Sequence, residues 1–252
     1  ISVLTGEKAL TIDRQEKVVY SDQGRAVSYD KLVLATGSYP WVPPIAGADG
    51  NSCFVYRTLD DLDAIEACAR NSRSGAVIGG GLLGLEAAGA LKNLGMETHV
   101  VEFAPVLMAE QLDPLGGKLL RKKIEGMGVA VHTSKNTRQI IDGPSGGKIL
   151  QFADESQLAV DFIVFSTGIR PQDRLAREAG LAIGPRGGVM IDDSCRTTDA
   201  DIYAIGECAA WQERVYGLVA PGYKMAQVTA DSLLGRENAF TGADMSAKLK
   251  LL

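Results

Sequence analysis

Residues 9–34 alternate apolar and polar positions in two short runs, ALTIDRQEKVVYS and AVSYDKLVLATG, with the turn signal SDQG between them. Alternation with period two predicts half-buried strands, and the apolar LVLA predicts a strand covered on both faces. The proline- and glycine-rich stretch SYPWVPPIAGADGNS then predicts an irregular boundary segment. In TLDDLDAIEACAR the period changes to that of a helix, with Leu59, Leu62, Ile65 and Ala69 on one face and Thr58 and Asp61 at capping-box spacing. Asp60, Asp61, Asp63 and Glu66 read as solvent-facing charges that complement the positive end of the helix dipole.

From Gly75 the order is strand, glycine turn, helix, strand in GAVIGGGLLGLEAAGALKNLGMETHVVEF, a βαβ unit. Residues 116–128 predict an amphipathic helix with Lys118, Arg121, Lys122 and Lys123 on its solvated face, and AVHTSK predicts a short strand. Beyond a second Gly/Pro-rich passage, APGYKMAQVTADSLLG predicts a helix entered through Pro221 and Gly222 and closed at Gly235. The stretch YDKLVLATGSYP (29–40) returns as VDFIVFSTGIRP (160–171), each copy preceded by a polar hairpin and each ending its strand at Thr-Gly. Repetition of that kind predicts two related folding units.

Composition narrows the function. The 252 residues leave room for two domains; 46% are apolar and 23% charged, and 29 glycines point to close backbone approaches. A net charge of −5 with interleaved signs gives no basic stripe, so neither nucleic acid nor a membrane surface is expected as a partner. No run approaches the roughly 18 apolar residues needed to span a bilayer. ISVLTGEKAL has neither a basic lead nor an apolar signal core, and the absent initiator Met suggests a fragment. Cys53, Cys68, Cys195 and Cys208 form no CxxC and read as reduced packing residues of a cytoplasmic protein.

Gly79, Gly81 and Gly84 have GxGxxG spacing, follow the strand AVI and open a helix, and Glu102 ends the next strand about twenty residues on. In that setting Gly79 permits the tight turn, Gly81 lets the main chain approach a pyrophosphate, and Gly84 brings helix and strand together. The helix start at Leu82 and Leu83 supplies N–H donors to the anion. Glu102 would accept from ribose hydroxyls and repel a 2′-phosphate, which favours NADH over NADPH. Glu86 either meets the nicotinamide or complements the dipole. The second Thr-Gly strand end, with Gly168, belongs to the same sheet. His99 and His132 read as packing or surface residues; no side chain is given a catalytic role and no metal ligands are assigned.

LVLATGSYP, VIGGGLLGLEAAGAL, FSTGIRP and TDADIYAIGECA, in that order, resemble the two-dinucleotide flavoprotein reductases of the pyridine nucleotide–disulfide oxidoreductase superfamily. The resemblance implies an α/β fold of two Rossmann-like dinucleotide-binding domains, with an NAD domain inserted in an incomplete FAD domain. The implied boundaries are 1–55 for the first FAD part, 56–184 for the NAD domain, 185–238 for the second FAD part and 239–252 for a linker or following domain. It places Ala35, Thr36 and Gly37 near the FAD nucleotide, Gly206 and Glu207 at its ribityl–pyrophosphate region, and Pro221 and Gly222 near the flavin ring. Two departures stand out: Glu207 replaces the family's usual Asp, and no FAD fingerprint precedes Ile1. The isolated chain is therefore expected to hold FAD weakly and to expose a sheet edge.

The absence of CxxC separates the chain from the thiol–disulfide branch and leaves the rubredoxin- and ferredoxin-reductase branch. SYPWVPPIAGADG, FVYRTLDDLDAIEACA and ADMSAKLKLL most resemble the family of NADH-dependent nitrite reductase large subunits. That resemblance implies hydride transfer from NADH to FAD, with electrons leaving singly for iron–sulfur and sirohaem centres in a later part of the polypeptide. Implied partners are NADH, those downstream redox domains and, as an open option, a second copy in a homodimer. Two alternatives stay open: a free-standing NADH:rubredoxin or ferredoxin reductase, and a non-catalytic nucleotide-binding module.

Overall fold

A computed structural model describes residues 1–144 and 146–250. The chain forms two compact units, one of Pro40–Gly168 with residues 248–250, the other of Ile1–Tyr39 with Ile169–Ala247.

The Pro40–Gly168 unit is built on a five-stranded parallel sheet, in the order Cys53–Val55, Phe162–Phe165, Ser74–Ile78, Glu97–Val101 and Val129–His132. One face carries helices α1 (Leu59–Ala69), α2 (Leu82–Asn93) and α3 (Pro114–Gly126), with Val77, Val100, Leu85, Ile124 and Phe162 buried in the layer between. On the other face an antiparallel meander, Thr137–Asp142, Lys148–Phe152 and Gln157–Val160, buries Ile140, Leu150 and Phe152 against Ala76, Val101, Ile163 and Phe165. Covering both faces is why the strand FIVF is apolar throughout. The expected capping box closes the start of α1: Asp61 N–H donates to Thr58 Oγ1, and Thr58 N–H to Asp61 Oδ2. Of the four apolar positions read onto one face of that helix, Ile65 and Ala69 are buried, but Leu59 is 78% and Leu62 39% exposed.

In the other unit an antiparallel meander, Ala9–Asp13, Val18–Ser21 and Ala26–Ser28, precedes Leu32–Leu34, which pairs in parallel with Ile202–Ala204. Val189–Ile191 pairs in parallel with Ala209–Trp211, and the helices are α4 (Arg174–Glu178) and α5 (Val219–Leu233). Leu34, Ile202, Met225 and Phe240 lie in its core. The internal repeat thus has a structural basis: each unit runs from a three-stranded meander into a parallel strand that stops at a Thr-Gly turn with positive φ, +68° at Gly37 and +102° at Gly168. In each, the Thr hydroxyl donates within its own unit, Thr36 to the carbonyl of Gln172 and Thr167 to that of Trp41.

The division of the chain differs from the expected boundaries at 55/56, 184/185 and 238/239. Residues 40–55 fold with the parallel sheet because Cys53–Val55 pairs with Phe162–Phe165. Residues 169–184 fold with the other unit, where Gln172 N–H donates to Gly37 O at 2.8 Å and Ala176 and Leu181 enter the core. Residues 239–247 belong there as well, because Phe240 is fully buried edge-on against Trp211 and Tyr216, at centroid distances of 5.2 and 5.6 Å. Helix α5 begins at Val219, before the expected entry at Pro221, which is tolerated in the first turn where its missing N–H has no intrahelical acceptor.

Candidate functional site

The bend at residues 79–84 joins the central strand Ser74–Ile78 to α2. Its glycines are constrained unequally. At Gly79 φ is +119°, and a Cβ would fall 2.1 Å from Ser166 O, at the end of the neighbouring strand. A Cβ on Gly84 would lie 2.0 Å from Gly79 O. Gly80, outside the GxGxxG glycines, is crowded by side chains and not by backbone: its Cβ would meet Leu107 Cδ2 at 2.6 Å. At Gly81 the Cβ would meet nothing within 4 Å. The protein's own packing therefore does not require glycine at 81. That position is open to a close approach from outside the chain.

The start of α2 makes the same point. Its N-cap is Gly81, with no side-chain cap, so the first-turn N–H groups at Leu82, Leu83 and Gly84 lack the capping oxygen that Thr58 provides to α1. Unsatisfied donors at the positive end of a helix dipole, beside open space, fit a phosphate-bearing ligand. Thr167 and Gly168 follow the neighbouring strand Phe162–Phe165 at the carboxyl end of the same sheet. Glu102 is half-buried next to it, its Oε2 accepting from Gly80 N–H at 2.5 Å and its Oε1 from Ala104 N–H at 2.6 Å. Glu86 lies one turn into α2 and accepts from Lys250 N–H at 3.3 Å.

In the other unit, the parallel pairing of Leu32–Leu34 with Ile202–Ala204 brings Ala35, Thr36 and Gly37 alongside Gly206 and Glu207, with Ile205 N–H donating to Leu34 O at 2.9 Å. Gly206 (φ +74°) opens a single 3-10 turn through Cys208. Ser38 Oγ donates to Glu207 Oε2 at 2.6 Å, a contact the sequence did not announce. The start of α5 packs onto this turn: a Cβ on Gly222 would lie 3.2 Å from Gly206 Cα, and Pro221 is buried. All seven residues expected here are thus gathered at the carboxyl ends of the paired strands.

His99 and His132, read separately in the sequence, meet in the fold, with Nδ1 of His99 3.2 Å from Nε2 of His132 and rings stacked at 28°. Burial lowers the pKa of both. The four cysteines are free, and among the described residues no cluster of three or more metal-ligating side chains occurs.

Residues 1–230 match the pyridine nucleotide-disulphide oxidoreductase family over most of the chain. The chain belongs to that family. It is 70% identical to the nitrite reductase (NADH) large subunit of Escherichia coli strain K12, over all of this chain and 30% of that protein. With the NAD(P)H nitrite reductase large subunit of Klebsiella oxytoca, identity is 59% over all of this chain and 26% of the relative. The chain therefore spans under a third of the length of these curated relatives. Among solved structures, an NAD-dependent persulfide reductase from A. fulgidus superposes with a TM-score of 0.91 at 31% identity, covering 96% of this chain and 46% of that one. A ferredoxin reductase from Rhodopseudomonas palustris gives 0.88 at 27% identity, covering 94% and 59%. The fold is that of this family's α/β reductases, with the parallel, Rossmann-like sheet expected. Among the described residues no helix is long and apolar enough to cross a membrane.

Proposed function

We propose that this chain is the flavoprotein electron-entry module of an NADH-dependent nitrite reductase, and that it works in the cytoplasm as part of a longer polypeptide. The Pro40–Gly168 unit takes NADH, and the Ile1–Tyr39 and Ile169–Ala247 unit contributes to the FAD site. The observation that carries this reading is Gly81, a glycine with open space around it at an uncapped helix start, next to a carboxylate held by the same bend. Identity of 70% and 59% to nitrite reductase large subunits supports the identity of the longer protein.

The residues divide the work. The bend at Gly79, Gly81 and Gly84 and the N–H groups at Leu82 and Leu83 hold the coenzyme pyrophosphate, and Glu102 accepts from the adenosine ribose. Gly37, Gly206, Glu207 and Gly222 offer close main-chain approach and one carboxylate to the flavin nucleotide. FAD, when bound, supplies the hydride-accepting and one-electron-donating chemistry. The protein's part is binding and orientation, so no acid–base side chain is needed. Downstream domains of the longer polypeptide would hold the iron–sulfur and sirohaem centres that take up the electrons, and assembly as a homodimer fits this scheme.

A carrier-reductase reading has one observation in its favour, 33% identity over 95% of the chain to an Escherichia coli nitric oxide reductase FlRd-NAD(+) reductase, which the chain covers to 62%. Anaerobic titration of the full-length protein with NADH tests both. Bleaching of the flavin followed by reduction of a covalently attached metal centre supports the nitrite reductase module. Bleaching followed by reduction only of added rubredoxin or ferredoxin supports the carrier reductase, and protein that binds NADH without bleaching overturns both.

A further inference from the structure

Glu102 is fixed by its main chain and its side chain together. Its N–H donates to His132 O at 2.8 Å, and its carbonyl accepts from Lys135 N–H at 3.0 Å, so the backbone is tied to the end of the neighbouring strand and to the segment that follows it. The side chain is tied at both oxygens, Oε2 by Gly80 N–H and Oε1 by Ala104 N–H. Gly80 cannot drift from this contact. Its carbonyl accepts from Met108 N–H at 2.9 Å, and Leu107 Cδ2 fills the space where a side chain would be. Each carboxylate oxygen has two acceptor sites, so both keep one for a hydroxyl. What the carboxylate lacks is the freedom to turn away.

We propose that the Gly80 and Ala104 amides are positioning groups that set coenzyme selectivity, locking Glu102 as a fixed negative charge against the 2′-phosphate of NADPH, and that the same two amides form a latent phosphate site once that carboxylate is removed. The inference rests on the reading that this bend takes NADH. A mobile glutamate would relieve repulsion by rotating into solvent; one held at both oxygens keeps its charge where it is. Removing the side chain leaves two N–H donors without acceptors, and unpaired donors of this kind gain most from an anionic oxygen. Charge removal alone predicts equal gains in NADPH affinity for Glu102→Gln and Glu102→Ala. The amide site predicts a larger gain for alanine, because glutamine still offers an oxygen to one amide and sets an NH2 group against the other.

Equilibrium binding of NADH and NADPH to the intact chain, by calorimetry and coenzyme fluorescence, separates these cases. The wild type is expected to prefer NADH by about tenfold or more, the scale of one charge-assisted hydrogen bond. Glu102→Ala is expected to raise NADPH affinity about tenfold above that of Glu102→Gln, with the urea midpoint confirming that both variants fold. Glu102→Val, β-branched and suited to a strand end, removes the same acceptor atoms and serves in its place should alanine fail to fold. Equal NADPH affinity in the Gln and Ala (or Val) variants, or a wild type that binds both coenzymes alike, overturns the inference alone. A folded wild type that binds neither coenzyme overturns the electron-entry reading and the inference with it.

Discussion

A Cβ placed on Gly84 would sit 2.0 Å from the carbonyl oxygen of Gly79, so helix α2 meets the strand before it at a distance only glycine allows. Gly81, between them in the same motif, has no neighbour within 4 Å of that position. The motif therefore contains one glycine that the packing requires and one that it leaves open, and the two should fail differently. Gly84→Ala is expected to destabilise the protein by about 1–3 kcal/mol or more through overpacking. Gly81→Ala is expected to leave stability within about 0.5 kcal/mol while weakening NADH binding. Urea unfolding alongside calorimetry checks both, and a Gly81→Ala protein that binds NADH normally would remove the pyrophosphate from this bend.

Acid should weaken the fold through the paired imidazoles. Burial is the main cause that holds His99 and His132 below the ordinary value of 6.5. Glu97 opposes it at His99; at His132, His99, Lys135 and Arg121 act with burial while Glu125 acts against it. The unfolded chain takes up protons as pH drops past about 6.5 while the folded chain does not, so stability is full above that value and is lost as pH falls through the depressed folded-state values. Urea midpoints between pH 7.5 and 5 are expected to fall, and to fall less in His132→Asn. An unchanged slope in that variant would show that other groups govern the acid response.

Ser38 holds one oxygen of Glu207 at 2.6 Å. Ser38→Ala should weaken FAD binding about tenfold, within the roughly 1.5–3 kcal/mol of a hydrogen bond to a charged group, without changing NADH affinity. Reconstitution of flavin-stripped full-length protein, followed by flavin fluorescence, measures it. Equal FAD affinity in the variant would mean that Glu207 needs no help from Ser38 or does not touch the flavin nucleotide.

Phe240 is fully buried against Trp211 and Tyr216. Phe240→Ala is expected to cost about 3–5 kcal/mol, the range for deleting a buried aromatic side chain. Chemical denaturation reads this directly. A neutral result would detach residues 239–247 from the unit that the structure assigns them to.

Much of the site was legible in the sequence because its signals are local. Gly79, Gly81, Gly84 and Glu102 are recognisable from spacing within one βαβ unit, and the paired Thr-Gly strand ends from simple repetition. Gly80 was missed because its constraint comes from Leu107, far along the chain and invisible to a motif. The domain boundaries were displaced for a similar reason. Cys53–Val55 looks like part of an irregular connection until its pairing partner, Phe162–Phe165, is known.

The sequence by itself determined the period of each element, the cap at Thr58, the glycine bend and the existence of two related units, since these follow from backbone sterics and side-chain alternation over a few residues. Only the tertiary structure decided which glycines the protein itself requires, that Glu102 is tied at both oxygens, that two histidines meet and that Phe240 closes a core. Each of those depends on atoms brought within a few ångströms from distant parts of the chain, and close packing gives such contacts their energy without leaving any local pattern to read.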